Sequence, residues 1–545
     1  MYECSNCSSG LKFNIALQQL VCEHCNSQYD PYEFDGLHAA EEDNSFEVTM
    51  FTCSQCGGEL YTTDTTVAGF CSFCGSTTVL NSRIDKELRP DYIIPFQKTK
   101  VDCKKEYMKL MRLAIFAPKE LKDEKCIDGF RGIYMPYWLY DVKHQQNLSL
   151  PGKTEKRRGD YIYTSHYRLY GNLDAHYDGI SYDGSSSFAD NISGKLAPFD
   201  VKAMKRFTPT FLSGFYADTA DVDADIYSDN AIEIADRHST QFVQKQSTFR
   251  KYNVEETDIR SDLYGVMEKT SRAMFPVWFM SYRNNDRVAY ATVNGQTGKV
   301  VADLPVDIKK YMLGTLILAI PIFILLNLIF TVTPSVLLAV VAFIAAFVSV
   351  LYTMEMKEIV KRESYEDDEG MQYKNSIKDR FGRNREAAAT QDDTWVAELE
   401  RQKRIKKPEK KMPLLLKLVL IYFAASFVIP IVMLIFGFLG SDSLALTVNI
   451  VALVVSVTAF VKSMSFEKKI NEKGKVTVKA YCMIAITVAI MITCLDPVHD
   501  LYYYVGACFS LVAVFVTLID LIKKYNILAT RKLPQFDYQG GDDNA

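Results

Sequence analysis

The sequence predicts a multidomain fold: two small β zinc ribbons, an α+β middle domain rich in antiparallel strands, and an all-α bundle of six transmembrane helices. Three observations lead to this prediction. Four C-x-x-C pairs lie in the first 80 residues, aromatic residues and turn signals fill residues 90–306, and long apolar runs are concentrated after Tyr311. A chain of 545 residues has room for roughly three or four domains.

The cysteine pairs form two arrays with one spacing. Fourteen residues separate the two pairs of each array, and the second array repeats the first at an offset of 49 residues. Two such turns at the ends of a small β unit can bring four thiolates together around one Zn²⁺ in a tetrahedron. The spacing therefore predicts two structural Zn²⁺ ions, one held by Cys4, Cys7, Cys22 and Cys25 and the other by Cys53, Cys56, Cys71 and Cys74.

Other uses of these cysteines fit less well. A redox C-x-x-C motif normally stands alone at the start of a helix, and no helical pattern follows these pairs. Disulfides belong to oxidising compartments, and the sequence shows no secretory signal at its start. Gly57 and Gly75 directly follow a C-x-x-C pair, where a left-handed backbone is expected, and Ser8 and Asn26 hold these positions in the first ribbon. His24 is either a competing ligand or an exposed residue of the turn.

The middle region has the pattern of an α+β domain. Thr99 is expected to cap a helix whose buried face includes Cys103 and Tyr107. Strands are predicted at "GIYMPYWLYDV" (132–142), "YIYTSHYRLY" (161–170) and "AMFPVWFMSYR" (273–283). A hairpin is predicted over 288–306, with Asn294-Gly295 among its turn residues.

We expect no enzyme activity from this region. The histidines His144, His166, His176 and His238 are scattered without ligand spacing, and "PGKT" at 151–154 lacks the upstream glycine of a phosphate loop. An enzyme that uses the 90–306 domain remains an alternative, and a pocket that gathers His166, His176 and nearby carboxylates would favour it.

Six apolar stretches are long enough to cross a bilayer, which takes about 20 residues each. The short connections "TVTPS", "GSDS" and "DPVHD" contain no Lys or Arg, whereas the segments 355–412 and 462–479 contain fifteen and six. By the positive-inside rule, both termini are cytoplasmic and the protein is a multi-pass protein of the cell membrane. The predicted spans are 311–330, 334–354, 414–438, 443–462, 478–495 and 500–522.

The predicted domain boundaries follow from these patterns. They are 1–32 and 51–80 for the ribbons, 33–50 for an acidic linker, 90–306 for the cytoplasmic α+β domain, 311–354, 414–462 and 478–522 for three transmembrane hairpins, 355–412 for a charged, partly helical cytoplasmic linker, and 523–545 for a cytoplasmic tail.

The apolar spans favour anchoring over transport. A transport path normally needs ionisable residues inside the membrane. Here Lys417 and Asp520 lie near predicted cytoplasmic ends, and Asn327 and Asn449 are the amides well inside. A transporter or lipid-handling protein with a zinc-ribbon regulatory cap remains an alternative.

Charge favours a protein partner for the ribbons. Residues 1–80 contain Lys12 as their one basic residue against eleven Asp or Glu, a net charge of −10. Each Zn²⁺ with four thiolates adds a further −2, for a total of about −14. This surface should repel nucleic acid. We therefore expect a cytoplasm-facing protein-interaction or scaffold module, with membrane lipids as further partners; the sequence leaves open whether the chain forms a homo-oligomer.

The chain resembles the bacterial TFIIB-type zinc-ribbon-containing integral membrane proteins. The resemblance rests on the C-x-x-C ribbons, "YIIPF", "GIYMPYWLYDV", "KLAPFDVKAM", "FLSGFYAD" and "PVWFMSYRNNDRVAYATVNGQTGKVVADLP", and it covers about residues 50–306. It implies metal-binding ribbons and a membrane anchor but no activity, because the family is functionally uncharacterised. Some members are labelled replication-restart helicases, and that label does not transfer, since this sequence has no helicase motor motif.

Overall fold

The structure is a computed structural model that describes residues 2–34, 45–63, 71–76, 80–284, 287–329, 333–372, 441–470 and 480–532. Within these residues the strands are β1 (Leu11–Asn14), β2 (Gln19–Cys22), β3 (Gln28–Tyr29), β4 (Ser45–Cys53), β5 (Glu59–Thr62), β6 (Leu80–Leu88), β7 (Tyr92–Ile93), β8 (Arg131–Arg158), β9 (Tyr161–Asp183), β10 (Lys205–Arg206), β11 (Tyr216–Asp218), β12 (Val266–Asn284), β13 (Arg287–Asn294), β14 (Val300–Ala302) and β15 (Arg531–Lys532). The helices are α1 (Lys100–Leu113), α2 (Glu124–Ile127), α3 (Asp190–Leu196), α4 (Asp225–Lys245), α5 (Ser247–Lys251), α6 (Glu256–Asp262), α7 (Ile308–Ile329), α8 (Pro334–Glu363), α9 (Ser441–Ile470), α10 (Tyr481–Leu495) and α11 (Leu501–Leu528).

The first cysteine array folds as a three-stranded antiparallel sheet in the order β1-β2-β3. Leu11 and Phe13 lie on one face of β1, because successive side chains of a strand alternate between faces, and both are buried. The Phe13 ring meets the Phe211 ring edge-on at 5.2 Å. These side chains belong to one hydrophobic core with residues of the middle region. Residues 2–34, which contain the first cysteine array and are called the first module below, are therefore packed on the middle region.

The second cysteine array is part of a large sheet. Strand β4 pairs with both β5 and β6, and the last pair of the β4–β6 ladder is Cys53 with Leu80. Strand β5 pairs in turn with β11, with Tyr61 opposite Ala217. Because β11 also pairs with β8, the strands of the second cysteine array continue a 12-stranded sheet. Eight of its strands follow the order β10-β7-β12-β8-β11-β5-β4-β6, while β9 pairs with β8, β13 pairs with β12, and β14 and β15 pair with β13. No local sequence pattern predicts this connection.

The predicted strands of the middle region are confirmed. Residues 132–142, 161–170 and 273–283 lie within β8, β9 and β12. Strands β8 and β12 form a long antiparallel ladder in the middle of the large sheet, from Lys143 opposite Val266 to Arg131 opposite Phe279, and an aromatic core packs against it. The Tyr137 and Phe275 rings, for example, stack at 4.4 Å.

Two local predictions in this region are also confirmed. A capping box begins α1, because the Thr99 side chain accepts from the Asp102 N–H and the Asp102 side chain accepts from the Thr99 N–H. Cys103, Tyr107 and Met111 form the buried face of this helix. The predicted hairpin is β13–β14, with Ala291 opposite Ala302.

Three helices among the described residues are long and apolar enough to cross a membrane. They are Pro334–Glu363, Leu446–Glu467 and Leu501–Leu528, and they overlap the predicted spans 334–354, 443–462 and 500–522. The six-helix bundle is not supported beyond these three. The predicted span 478–495 is α10, whose 15 residues extend about 22 Å, short of the roughly 30 Å that a bilayer requires. The described part of the predicted span 311–330 lies in α7 (Ile308–Ile329), and 414–438 lies outside the described residues.

Small side chains allow α8, α9, α10 and α11 to pack closely. Their shared core contains the buried residues Ala342, Ala345, Ala452, Ala489 and Ala507, which is typical of helices that associate in lipid. Large apolar side chains point outward instead, and many of them are more than half exposed. So many exposed apolar side chains on neighbouring helices form a surface that is stable in lipid but not in water.

The last apolar helix is joined to the sheet. Strand β15 directly follows α11 and pairs with the start of β13, with Lys532 opposite Arg287. Nearby, the Val306 N–H donates to the Asn526 side-chain oxygen at 2.7 Å, and the Asn526 amide donates back to the Val306 carbonyl at 2.9 Å. Sheet and helices therefore meet through main-chain and side-chain hydrogen bonds.

Candidate metal centres

The second cysteine cluster has the geometry of a closed tetrahedral site. All four thiols are buried, and their sulfur atoms lie within 4.8 Å of one another. The Cys53 and Cys74 sulfurs are 3.8 Å apart, and the Cys56 and Cys71 sulfurs are 3.7 Å apart. A metal bound at about 2.3 Å by four thiolates places its ligands about 3.8 Å apart. Cys53, Cys56, Cys71 and Cys74 could therefore hold one metal ion.

Tight turns position these four thiols. The Gly57 N–H donates to the Cys53 carbonyl at 2.8 Å, and the Gly75 N–H donates to the Cys71 carbonyl at 3.0 Å. Both glycines have the left-handed backbone that the sequence predicts, with φ of 70° and 69°. Each turn therefore curls around its pair of cysteines in the same way.

The first cluster repeats this geometry with a more open surface. The sulfur distances are 3.4 Å for Cys4–Cys25, Cys7–Cys22 and Cys7–Cys25. Ser8 and Asn26 take the left-handed positions, with φ of 55° and 56°. Cys25 is exposed and Cys7 is half-buried. The structure brings together Cys4, Cys7, Cys22 and Cys25, and His24 is not part of this group.

The side chains that contact the cysteine turns differ between the clusters. At the first, the Tyr29 hydroxyl lies 3.3 Å from the Cys4 sulfur, and the Ser27 hydroxyl lies 3.1 Å from the Cys25 sulfur. At the second, the Tyr290 hydroxyl of β13 donates to the Phe73 carbonyl at 2.8 Å. Burial raises the pKa of Tyr290, so this hydroxyl keeps its proton and remains a donor. The turn 71–74 is thereby fixed to the central sheet.

Sequence reasoning missed these supporting residues. The Arg283 guanidinium donates to the Gln55 side chain at 2.9 Å, so β12 also supports the turn 53–56. Tyr290 and Arg283 lie more than 200 residues beyond the cysteines, and no local spacing connects them with the cluster. Their place in the strand motifs of 273–294 was the signal that could have drawn attention to them.

Gly75→Ala should weaken metal binding at the second cluster at least tenfold. Its Cβ would stand 3.3 Å from the Arg283 Cβ, in addition to the strain of a φ of +69°; left-handed backbone costs a non-glycine residue about 1–2 kcal/mol. Gly159→Ala is the matched control, because Gly159 has a φ of +60° and nothing within 4 Å of its Cβ. Chelator competition measures the affinity, and equal values for both variants would contradict the role of β12.

The histidines are not brought together. His166 and His176 lie ten residues apart on β9, which separates them by roughly 34 Å along an extended strand. His144 is buried, and its ring nitrogen lies 2.7 Å from an Asp236 carboxylate oxygen. Among the described residues, the two cysteine groups are the sets of three or more His, Cys, Asp or Glu side chains whose geometry suits a metal ion.

The two four-cysteine clusters, the mixed sheet and the apolar helices define a membrane-associated protein that could bind metal ions. Over 316 residues the chain is 26% identical to the uncharacterized protein YdjG of Bacillus subtilis (strain 168). This similarity covers 57% of the present chain and 91% of YdjG. No family model and no solved structure matches the chain.

Proposed function

We propose that this protein is a zinc-binding scaffold, anchored in the membrane by several spans, that presents its cysteine modules and central sheet to a protein partner in the cytoplasm. The observation that carries the proposal is that each metal site is closed. Four cysteine sulfurs surround each centre, so a bound ion has no open position for substrate, and closed sites of this kind are structural. The thiolate-only donor set favours Zn²⁺.

The proposed orientation of the protein in the membrane rests on the state of its cysteines and on the distribution of its basic residues. All thirteen cysteines lie within the described residues and none forms a disulfide there, which suits a reducing compartment. The Lys- and Arg-rich segments 355–412 and 462–479 support a cytoplasmic location for the face of the membrane at which the sheet lies, by the positive-inside rule. Several crossings with both termini cytoplasmic remain part of this proposal, as does the TFIIB-type assignment.

The surface of the first module favours a basic protein partner. Glu3, Glu23, Asp30 and Glu33 are exposed, whereas Lys12 is the one basic residue of residues 1–80 and pairs with Glu23 at 2.8 Å. Such a surface repels the phosphates of DNA and RNA. It attracts Lys and Arg side chains, and complementary charge contributes mainly to specificity and association rate.

The polar residues between the apolar helices support transport less than the closed metal sites support a scaffold. Ser349, Ser456, Ser463, Cys482 and Thr517 line a cavity of about 20 Å³, which is room for one water molecule. Hydroxyl pairs such as Thr353 with Ser463, at 3.0 Å, are typical of helix packing in lipid. Transport or lipid handling therefore remains the second candidate.

Charge reversal on the first module tests the scaffold proposal. In-cell crosslinking followed by purification should recover fewer partners with Glu3→Lys/Glu33→Lys than with the wild type, because the acidic surface is lost. Asp229→Lys/Glu256→Lys is the matched control, since it reverses two exposed acidic residues elsewhere. Metal content and membrane yield report folding. An unchanged set of partners in the first variant would rule out a scaffold that works through this surface.

A further inference from the structure

Strands β8 and β9 continue as a long two-stranded hairpin arm, defined here as residues 149–170. Its ladder runs from Ser149 opposite Tyr170 to Arg158 opposite Tyr161, and Gly159 and Asp160 form the turn. Among the described residues, β9 pairs with β8 and with no other strand. One edge of the arm is therefore free of strand partners in the part of the chain that the structure describes.

The direction of the free main-chain groups can be deduced. Lys153 lies opposite His166, but the Lys153 N–H donates to the Tyr252 carbonyl at 2.7 Å, on the side of β8 away from β9. Lys153 and His166 are thus a non-hydrogen-bonded pair, and pairs of the two kinds alternate along an antiparallel ladder. The N–H and C=O groups of Ile162, Thr164, His166 and Arg168 consequently point to the free edge.

The side chains along this edge are suited to further pairing. Tyr161, Ile162 and Tyr163 are 73%, 65% and 59% exposed. Residues 161–173 contain a single charged residue, Arg168, and no proline. Natural proteins usually protect such edges with charges or proline. Strand β6, at one end of the large sheet, has this protection in Arg83, Asp85, Lys86 and Glu87.

We propose that the free edge of β9 binds the same edge of a second copy of this chain, as an antiparallel pair related by a two-fold axis at Thr164. Identical edges are self-complementary under this symmetry. The axis places Tyr161 opposite Tyr167 of the second copy and Arg168 opposite Asp160 of the second copy. The symmetry repeats both pairs, so the interface contains each of them twice. It also aligns the outward main-chain groups for about six hydrogen bonds.

The size of this contact indicates a weak dimer. The exposed parts of Tyr161, Tyr163, Tyr167 and Ile162 of both copies together amount to roughly 1,000 Å², since an aromatic side chain buries about 150–250 Å². That area is near the lower limit for a specific interface. Confinement of both copies to one membrane raises their effective concentration, so the dimer should form in the membrane.

Photo-crosslinking of the full chain in native membranes tests the proposal. A photoreactive phenylalanine replaces Tyr163, and two differently tagged copies are co-expressed. The expected product is an adduct of twice the chain mass that carries both tags. Thr164→Pro should reduce its yield at least tenfold, because the proline removes an edge-facing N–H that the arm itself does not use. Tyr161→Lys should also reduce the yield, by placing a cation on the edge.

The matched control is Ile84→Lys, because Ile84 on β6 is also 73% exposed; it should leave the yield unchanged. Zinc content, measured in every variant, verifies folding. The proposal is overturned if no adduct carries both tags, if the yield survives Thr164→Pro, or if Tyr163 crosslinks to another protein, to nucleic acid or to lipid in place of the second copy. None of these results depends on the scaffold proposal, whose test uses the first module.

Discussion

Cys74→Ser should release one zinc ion per chain and unfold the sheet around the second cluster. Serine is a poor zinc ligand, and when the ion is lost the three remaining cysteines take up protons and no longer hold the two turns together. Metal binding to a four-ligand site of this kind is worth about 10–16 kcal/mol of folding free energy in small zinc modules. Elemental analysis should show a fall from two zinc ions to one. Hydrogen exchange should rise in β4, β5 and β6.

Two control variants separate the possible causes. Cys25→Ser should also release one zinc ion, but exchange should rise in β1, β2 and β3, because Cys25 belongs to the first cluster. Cys103→Ser changes a buried thiol of α1 outside both clusters, and it should leave both ions in place. Two zinc ions retained in Cys74→Ser would contradict the assignment of this residue as a ligand.

The expected damage differs between the clusters because their surroundings differ. The second cluster lies where β4 meets β6, and its two turns are held by Tyr290 and Arg283 of the large sheet. The first closes a three-stranded sheet of its own. Loss of the second ion should therefore spread into the large sheet through β5 and β11, whereas loss of the first should affect residues 2–34 and the part of the core that packs on them.

The parts of the fold that could be predicted from the sequence are the local ones. Cysteine spacing grouped the eight thiols correctly, because each pair is set by one turn, and the turn glycines were recognised for the same reason. The capping box at Thr99 and the buried face of α1 follow from helical periodicity. These features depend on residues a few positions apart.

The parts that could not be predicted depend on pairing over long distances. Nothing in the local pattern places Tyr61 opposite Ala217, the contact that merges the second module with the large sheet. The length of β8 was also missed, because its burial pattern changes near Val142 from a strand covered on both faces to a strand with one exposed face. Among the spans, hydropathy found the apolar character of α10 but overestimated its length.

Arg287 links the large sheet to the apolar helices, and its substitution is the second change for which we expect a large effect. Its guanidinium donates to the Glu363 carboxylate at 2.9 Å and to the carbonyls of Ile527 and Thr530 at 2.8 and 2.9 Å. A fourth bond reaches the Thr530 hydroxyl at 2.7 Å. A cation at the carboxyl end of α11 is also favoured by the helix dipole. Arg287 therefore satisfies acceptors from α8, α11 and the residue before β15.

Arg287→Leu should lower the free energy of unfolding by about 2–3 kcal/mol, because it leaves these half-buried acceptors without their donor. The corresponding fall in Tm in detergent is about 5–10 °C. Hydrogen exchange should rise at residues 526–532 and 287–294, where β15 meets β13. Lys532 remains 2.7 Å from Glu363, so the carboxylate keeps one partner and the loss stays well below the full cost of an unpaired buried charge.

Arg237→Leu is the matched control for this junction. Arg237 is an exposed arginine that pairs with Glu233 one turn away on α4, and surface pairs of this kind contribute about 0.3–0.5 kcal/mol. Its Tm should therefore stay within about 2 °C of the wild type. Equal shifts in the two variants would mean that Arg287 does not link the sheet to the helices. A larger shift in Arg287→Leu, confined in hydrogen exchange to β13, β15 and the end of α11, would establish that link, because the acceptors of Arg287 lie on the helix side of the junction.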